Sequence, residues 1–204
     1  MTATGRFLVL EGPNGVGKTT TAAALADLLR SRGDRVHVTG EPSTAPLGRL
    51  IRAHEAELTG RALALAVAAD RSHHLDTEIV PALAASATVI CDRFIPSSLV
   101  LQQLDGLDPR EVWSYNAALR PIPDITVYLI TAPATIGARL AQRPRRSRLE
   151  QAGSPDRELA LYQQARRFLD GQGWRQITID CRDLPADQVA ARILAHLPRK
   201  DPAP

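Results

Sequence analysis

Near its start the chain carries a glycine-rich pattern with a tightly constrained backbone, G-x-x-x-x-G-K-T from Gly12 to Thr19. An apolar run at Phe7–Leu10 precedes it, and an alanine-rich helical pattern follows it. A strand, a glycine turn and a helix in this order form a phosphate-binding loop (P-loop), where backbone N–H groups and a helix N-terminus surround phosphate oxygens. A glycine turn that arose by chance would have no reason to lie between a strand and a helix. The pattern therefore predicts a nucleoside triphosphate site.

Apolar, β-branched runs alternate with helical patterns along the rest of the chain. Strands are predicted at Phe7–Leu10, Arg35–Thr39, Thr88–Cys91, Ile125–Ile130 and Gln176–Asp180, and helices at Thr19–Arg32, Leu63–Ala85, Pro109–Leu119, Pro133–Gln142, Pro155–Leu169 and Ala186–Leu197. This alternation indicates an α/β fold with a parallel sheet covered by helices on both faces. We expect one domain over residues 1–204, with a disordered tail at about 198–204.

The composition sets the general class of the protein. The 204 residues include 23% charged and 44% hydrophobic residues and give a net charge of +3, which is ordinary for a globular domain. No basic tract argues for a nucleic-acid partner, and no apolar stretch is long enough for a membrane span. No signal peptide is expected, because the start MTATGR lacks an apolar core before a cleavage site. A cytoplasmic location is therefore expected. Cys91 and Cys181 end strand-like runs and are predicted to be buried free thiols.

Many protein classes carry a P-loop, and the strand at Thr88–Cys91 helps to separate them. A guanine-nucleotide switch needs N-K-x-D, which this sequence lacks, and an assembly ATPase normally ends this strand with an Asp-Glu pair. Here the strand ends with Cys91-Asp92-Arg93. Ligands bind at the carboxyl ends of strands in open α/β sheets. Asp92 can therefore bind Thr19 or the water shell of Mg²⁺, and Arg93 can bind a second phosphate group.

Several further motifs follow the loop in a fixed order. They are Glu11-Gly-Pro-Asn-Gly-Val-Gly-Lys-Thr19, Thr39-Gly-Glu-Pro42, Gly48-Arg-Leu-Ile-Arg52, Val67-Ala-Ala-Asp-Arg71, Asp92-Arg-Phe-Ile-Pro-Ser97 and Pro123-Asp-Ile-Thr-Val-Tyr-Leu129. They resemble, in the same order, E-G-x-D-G-x-G-K-T, T-R-E-P, G-x-x-I-R, F-A-A-D-R, D-R-Y-x-x-S and P-D-L-T-x-x-L of the thymidylate kinase family of nucleoside monophosphate kinases. The resemblance extends from Phe7 to about Glu150 and more weakly to the end.

The resemblance implies a P-loop kinase fold with a five-stranded parallel sheet, and ATP- and Mg²⁺-dependent phosphoryl transfer to a nucleotide by a homodimer. Residues implied to bind ATP are Gly12, Pro13, Asn14, Gly15, Val16, Gly17, Lys18, Thr19, Thr20 and Arg139. Residues implied to bind the acceptor are Asn14, Glu41, Arg52, Val67, Arg71, Arg93, Ser97 and Gln102. Lys18, Glu41, Asp92, Arg93, Arg143 and Arg148 are expected to be catalytic, and Thr19 and Asp92 are expected to hold the metal.

An arginine-rich segment at about residues 139–153 resembles the mobile lid of the family. The P-loop itself has no basic side chain between Pro13 and Val16, so a catalytic arginine must come from elsewhere. The lid, with Arg143, Arg145, Arg146 and Arg148, is the expected donor, because phosphoryl transfer needs positive charge around the moving group. A solvated basic loop and a patch for an anionic partner remain alternatives for this segment.

The sequence departs from the family pattern on the acceptor side. Asn14 replaces the loop acid, Gly40 an arginine, Val67 the phenylalanine that stacks on thymine, and Leu101 the tyrosine next to the base-reading Gln102; Leu104–Asp108 replaces a G-x-G-R-G-L segment. Loss of a stacking ring removes about 1–3 kcal/mol. We therefore expect only a weak preference for thymidine monophosphate. A kinase of a non-standard nucleotide or nucleoside in a biosynthetic pathway, and a nucleotide-binding protein with reduced catalysis, remain alternatives.

Overall fold

A computed structural model describes residues 5–143, 148, 151 and 153–197. It contains a sheet of five parallel strands in the order β2-β3-β1-β4-β5. The strands are β1 (Arg6–Glu11), β2 (Val36–Gly40), β3 (Thr88–Asp92), β4 (Ile125–Ile130) and β5 (Gln176–Asp180). All five predicted strands are confirmed, with bounds shifted by no more than one residue.

Helices connect the strands and pack on the sheet. They are α1 (Lys18–Ser31), α2 (Pro46–Ala53), α3 (Gly60–His74), α4 (Val80–Ala84), α5 (Ile95–Leu104), α6 (Pro109–Ser114), α7 (Pro133–Ala141), α8 (Pro155–Asp170) and α9 (Ala186–His196). A π-helical turn at Leu75–Ile79 joins α3 to α4. In the part of the chain that the structure describes, no helix has the length and apolar character needed to span a bilayer.

Alternate side chains of the central strand β1 point into two separate cores. Phe7 and Val9 pack with residues of α5 and α8 on one face of the sheet. Leu8 and Leu10 pack with residues of α1 and α9 on the other face. Because helices cover both faces, a strand gains stability from an apolar residue at every position, and this explains the continuous apolar runs in the sequence. The predicted α/β class is confirmed.

The helix prediction was wrong in four places. The segment predicted as one helix at Leu63–Ala85 is α3, the π-helical turn and α4, and the helix predicted at Pro109–Leu119 ends at Ser114. Both α2 and α5 were missed. The helix α2 has only eight residues, and α5 is buried from Ile95 to Val100, so its sequence lacks the polar face that reveals a helix. Both missed helices contribute to the site described next.

Candidate active site

The P-loop connects β1 to α1 with a backbone that only glycine tolerates. Gly12 has φ 138° and Gly17, the N-cap of α1, has φ 110°. A Cβ atom on Gly12 would lie 2.4 Å from the carbonyl oxygen of Leu129, so a side chain there would clash with β4. The positive φ angles turn successive N–H groups toward one concavity at the start of α1, which is the geometry of an anion site.

This concavity continues into a cleft of about 550 Å³. Of the residues predicted to bind ATP, those that line it are Asn14, Gly15, Val16, Gly17, Lys18, Thr19, Thr20 and Arg139. Gly12 and Pro13 do not line the cleft; their carbonyl groups instead accept hydrogen bonds from Lys18. The cleft is also lined by apolar residues that suit a nucleobase: Cys181, Leu184, Pro185, Ala186 and Val189.

Lys18 places a buried amine in the cleft. Its Nζ donates to the carbonyl oxygens of Gly12 at 2.8 Å and Pro13 at 2.9 Å. Burial is the largest cause that lowers the pKa of Lys18, from 10.5 to about 7, and the positive charge of Arg93 adds to it. A phosphate group in the cleft would reverse this shift, because an opposite charge within a few ångströms favours the ammonium form.

This depressed pKa predicts that ATP binding takes up a proton. At pH 8 an amine with a pKa of about 7 is roughly nine-tenths neutral, and it becomes charged beside the triphosphate. Calorimetric titration with ATP and Mg²⁺ in two buffers of different ionisation enthalpy should therefore show almost one more proton taken up by the wild type than by Lys18→Arg. Arginine stays charged throughout. Equal proton uptake by the two proteins would contradict the assignment.

Asp92 and Thr19 place two oxygen ligands next to each other beside the P-loop. The Thr19 hydroxyl donates to Asp92 Oδ2 at 2.7 Å. The other carboxylate oxygen, Oδ1, is buried and has no hydrogen-bond partner among the described residues. A buried carboxylate oxygen without a partner carries a desolvation cost that a cation would remove. Hydroxyl and carboxylate oxygens are ligands that Mg²⁺ accepts, so these two residues fit a magnesium site at the mouth of the cleft.

Arg93 lies between the ATP cleft and a second cavity, and its backbone is strained, with φ 77°. Its guanidinium donates to Asn14 Oδ1 at 2.6 Å, Ser97 Oγ at 2.9 Å and the Tyr162 hydroxyl at 3.0 Å. Burial opposes its charge, yet Tyr162 and the Glu11 carboxylate hold the pKa of Arg93 above its ordinary value. Left-handed backbone at a residue other than glycine concentrates at functional sites. The three hydrogen bonds therefore hold the Arg93 side chain in one orientation, and its guanidinium stays charged.

Glu11, the last residue of β1, holds the start of α5 in place. Its fully buried carboxylate accepts from the backbone N–H of Phe94 at 2.8 Å and from the Ser97 hydroxyl at 2.6 Å. Burial raises the pKa of Glu11, and the Ser97 hydrogen bond and the Arg93 charge oppose this rise. Because Arg93 and Ser97 flank this anchored turn, Glu11 fixes both without lining either cavity.

The second cavity, of about 170 Å³, lies between α2, α3 and α5. Its lining includes every residue predicted to bind the acceptor: Asn14, Glu41, Arg52, Val67, Arg71, Arg93, Ser97 and Gln102. Ile51, Leu63, Phe94 and Leu101 add apolar surface. Asn14 and Arg93 line this cavity and also the ATP cleft. The two cavities therefore meet at these two residues.

Arg71 is the most deeply buried charge in the acceptor cavity. Its Nε donates to Glu41 Oε2 at 2.7 Å, its Nη2 donates to Ser98 Oγ at 2.9 Å, and its Nη1 donates to Asn116 Oδ1. The guanidinium carbon lies 5.2 Å from the centre of the Phe94 ring. A guanidinium has five N–H groups, so Arg71 keeps donors for a ligand after these three bonds.

Gln102 lines the same cavity and carries an unsatisfied polar atom. Its Oε1 is buried and has no hydrogen-bond partner within the described part of the chain. Three of the substituted positions, Asn14, Val67 and Leu101, also line this cavity. The cavity therefore combines an apolar slot, a buried acceptor atom and a cation, as a small heterocycle requires.

Gly40 marks the close approach of two strand ends beside Glu41. A Cβ atom on Gly40 would lie 3.0 Å from the backbone oxygen of Asp92. The next residue, Glu41, donates its backbone N–H to that oxygen, also at 3.0 Å. Glycine at position 40 therefore leaves room for the close packing of β2 against the end of β3 beside Glu41.

The structure separates the predicted lid arginines. Arg139 donates to the carbonyl oxygens of Val16 at 3.0 Å and Gly15 at 3.3 Å, and the exposed Arg143 lines the ATP cleft. Arg148 lines neither cavity; both of its Nη atoms donate to Asp105, which lowers the pKa of that carboxyl. The structure thus brings Arg139 and Arg143, but not Arg148, to the cleft. Arg145, Arg146 and residues 198–204 lie outside the described residues.

Sequence reasoning missed several residues that shape the site. Tyr162 was not predicted to belong to the site, yet its hydroxyl contacts Arg93 and Ser97, each at 3.0 Å. Asn116 was also missed, and so was Glu158, whose carboxylate accepts from the backbone N–H of Asn14 at 3.0 Å. No local pattern marks these residues, because their partners are distant in sequence. Both cysteines are free and buried, as predicted.

Comparison with known proteins agrees with this geometry. A family model described as thymidylate kinase matches residues 10–181. A thymidylate kinase of Geobacillus thermodenitrificans (strain NG80-2) is 38% identical, covering 94% of this chain and 88% of the relative. A thymidylate kinase of Leifsonia xyli subsp. xyli (strain CTCB07) is 37% identical, covering 95% of this chain and 94% of the relative. A thymidylate kinase of Clavibacter sepedonicus is 42% identical, covering 72% of this chain and 74% of the relative. These relatives give no support to the alternative functions. The chain belongs to the thymidylate kinase family.

Proposed function

We propose that this protein transfers the γ-phosphoryl group of ATP to thymidine monophosphate and forms ADP and thymidine diphosphate. Membership of a family of nucleoside monophosphate kinases supports the reaction type. One geometric observation carries the proposal: the ATP cleft and the acceptor cavity share Asn14 and Arg93. Two ligands bound in cavities that meet in this way bring a donor and an acceptor phosphate into direct contact, which is the main requirement of phosphoryl transfer.

On the donor side, the chain binds and neutralises the triphosphate. The N–H groups of the P-loop surround the β-phosphate, and the Lys18 ammonium leaves its carbonyl partners for the phosphate oxygens. Thr19 and Asp92 would hold Mg²⁺, which would supply further positive charge to the triphosphate. Arg139 and Arg143, at the rim of the cleft, are the lid cations that this structure offers to the group in transit.

On the acceptor side, the chain positions the attacking phosphate. An oxygen of the acceptor phosphate forms a bond to the γ-phosphorus while the bond from that phosphorus to the bridging oxygen of ADP breaks. Arg93 lies where both phosphates meet and stabilises the charge that develops there. Glu41, Arg71 and Arg52 all line the cavity, and the Arg52 guanidinium donates to the carbonyl of Pro42, the residue after Glu41. We assign these residues to acceptor binding.

Gln102 is the residue that reads the base. The unpartnered Oε1 of Gln102 accepts the N3–H of thymine or uracil, and cytosine has no hydrogen at that nitrogen. A site built to receive a hydrogen bond rejects a ligand that lacks the donor, because its own buried atom then stays unpaired. Val67 and Leu101, in contrast, are aliphatic neighbours of the base and sugar. Neither side chain stacks on the base as an aromatic ring would, and neither carries a polar group directed at a 2′-hydroxyl.

Substrate selectivity should follow from this lining. We expect kcat/KM for deoxyuridine or uridine monophosphate to lie within about a hundredfold of that for thymidine monophosphate, since one methyl group contributes only about 1–3 kcal/mol. Cytidine monophosphate should be the poorest substrate of the four. The measurement is ADP release across the four nucleotides at fixed ATP. A preference for thymidine monophosphate above about a hundredfold over both uracil nucleotides would contradict this expectation.

We further propose a homodimer of single-domain chains, located in the cytoplasm. The family resemblance supports this assembly, and exposed apolar side chains are available for an interface. Leu50 on α2 is 52% exposed, Leu65 on α3 is 47% exposed and Val80 on α4 is 41% exposed. Light scattering after size-exclusion chromatography should give twice the chain mass of 22.1 kDa. A mass equal to one chain would exclude the dimer at the concentration tested.

A further inference from the structure

A row of alternating acidic and basic side chains runs from the acceptor cavity to the edge of the sheet. Its members, in order, are Arg71, Glu41, His74, Glu78 and His37. The closest atoms of successive pairs are 2.7, 3.4, 3.5 and 2.8 Å apart. The first three side chains are no more than 3% exposed, whereas Glu78 is 29% and His37 is 36% exposed. His74 is therefore the buried link between the cavity wall and the surface.

His74 occupies this position because of the way α3 ends. It is the last residue of α3, and the π-helical turn begins at the next residue, Leu75. Single π-helical turns inside helices occur frequently at functional sites. The Nε2 atom of His74 lies 2.8 Å from the Thr39 hydroxyl on β2, so the ring is fixed on the side opposite the cavity. Its Nδ1 atom then points toward the carboxylate of Glu41.

Glu41 has two side-chain partners among the described residues. Arg71 donates to its Oε2 atom at 2.7 Å, and His74 contacts its Oε1 atom at 3.4 Å. Without the second contact, the carboxylate could rotate about its terminal bond, and Arg71 would lose its in-plane partner. The orientation of both residues toward an acceptor therefore depends on a residue that does not line the cavity.

A metal site is the other chemistry that this cluster suggests. Potential ligand atoms of Glu41, His74 and Cys91 lie within 4.8 Å of one another. Each of the three already has a partner, since the Cys91 thiol donates to the Arg93 carbonyl at 3.0 Å and Glu41 is paired with Arg71. Hydrogen bonding therefore accounts for the cluster.

We propose that His74 is a positioning residue for the acceptor nucleotide, acting through Glu41 on Arg71. The inference rests on the proposed function, because it concerns the acceptor cavity of that reaction. Its consequence is specific: a change at His74 should alter use of the acceptor and leave use of ATP unchanged.

Three substitutions at His74 separate the two ring nitrogens. His74→Phe keeps the ring and removes both nitrogens. His74→Asn places an amide near the position of Nδ1, facing Glu41, and His74→Gln places it near Nε2, facing Thr39 and Glu78. His73→Asn is the matched control, because His73 is the preceding residue of the same helix and is exposed. For each protein, KM for thymidine monophosphate, KM for ATP and kcat are measured, and circular dichroism checks the fold.

His74→Phe should raise KM for thymidine monophosphate by at least roughly tenfold, the usual effect of losing a hydrogen bond to a charged group, with KM for ATP changed less than about twofold. KM for thymidine monophosphate should return most of the way to the wild-type value in His74→Asn but only slightly in His74→Gln, and His73→Asn should match the wild type.

If His74→Phe does not fold, the order of KM values in His74→Asn and His74→Gln decides. The inference is overturned by an unchanged KM for the acceptor, by a parallel rise in KM for ATP, or by equal rescue from Asn and Gln. If the wild type does not phosphorylate thymidine monophosphate, the proposed function is overturned instead. The inference is then decided by calorimetry, which should give the same order of variants for the affinity for that nucleotide.

Discussion

Replacing Lys18 with alanine is expected to lower kcat by about three orders of magnitude or more, comparable to the loss of a principal charge on a transferring phosphoryl group. Lys18 is the cation held inside the P-loop, where its Nζ lies against the carbonyls of Gly12 and Pro13. The variant should be measured by ADP release at saturating ATP, Mg²⁺ and thymidine monophosphate. A decrease of less than about tenfold would mean that another cation neutralises the γ-phosphate.

A matched control and a stability measurement separate this effect from misfolding. Arg32→Ala removes an exposed basic side chain at the other end of α1 and should leave kcat unchanged. In the wild type the pKa of Lys18 falls from 10.5 to about 7 on folding, so the unfolded chain binds more protons between these pH values. The free energy of unfolding should therefore rise with pH across that window, and this rise should be smaller in Lys18→Ala.

Replacing Arg93 with lysine should give the second-largest loss, at least about a hundredfold in kcat/KM for thymidine monophosphate. The guanidinium contacts Asn14, Ser97 and Tyr162 at the same time. A lysine retains the charge but is a point donor without the planar fork, and so it cannot make these contacts while facing two phosphates. Measuring kcat/KM for both substrates tests the assignment, and a loss of less than about tenfold would show that charge alone suffices.

Tyr162→Phe is the graded comparison for Arg93→Lys. It removes the hydroxyl that lies 3.0 Å from Arg93 and leaves the contacts of that arginine to Asn14 and Ser97. A hydrogen bond to a charged group contributes roughly 1.5–3 kcal/mol, and Arg93 keeps its contacts to Asn14 and Ser97, so we expect a decrease near the lower end of that range, about tenfold. A larger effect than that of Arg93→Lys would mean that Tyr162 itself contacts the substrate.

The sheet and the P-loop could be predicted from the sequence because each leaves a local pattern. The strands are buried on both faces and appear as continuous apolar runs, and Gly12 and Gly17 occupy backbone conformations that only glycine adopts readily. The helix α5 was missed for a related reason. It is buried along most of its length, so its apolar residues show neither a period nor a polar face.

The contacts that assemble the site could not be predicted, since they join residues far apart in the chain. Glu11 reaches the backbone of Phe94 across 83 positions, and Arg93 reaches Tyr162 across 69. For Arg148 the sequence predicted a site role that the distant contacts in the fold do not support. Its basic neighbourhood indicates a lid, but Asp105, 43 positions earlier, is its partner in the structure. Only the fold brings such residues together.

The central claim is that a phosphoryl group moves directly between ligands bound in the two cavities, which meet at Asn14 and Arg93. The most direct test is to quantify both products of one reaction. The protein is incubated with ATP, Mg²⁺ and thymidine monophosphate, and ADP, thymidine diphosphate and inorganic phosphate are separated chromatographically. Direct transfer predicts equal amounts of ADP and thymidine diphosphate and no inorganic phosphate. Formation of ADP with inorganic phosphate and no thymidine diphosphate, or binding of ATP without any turnover, would contradict it.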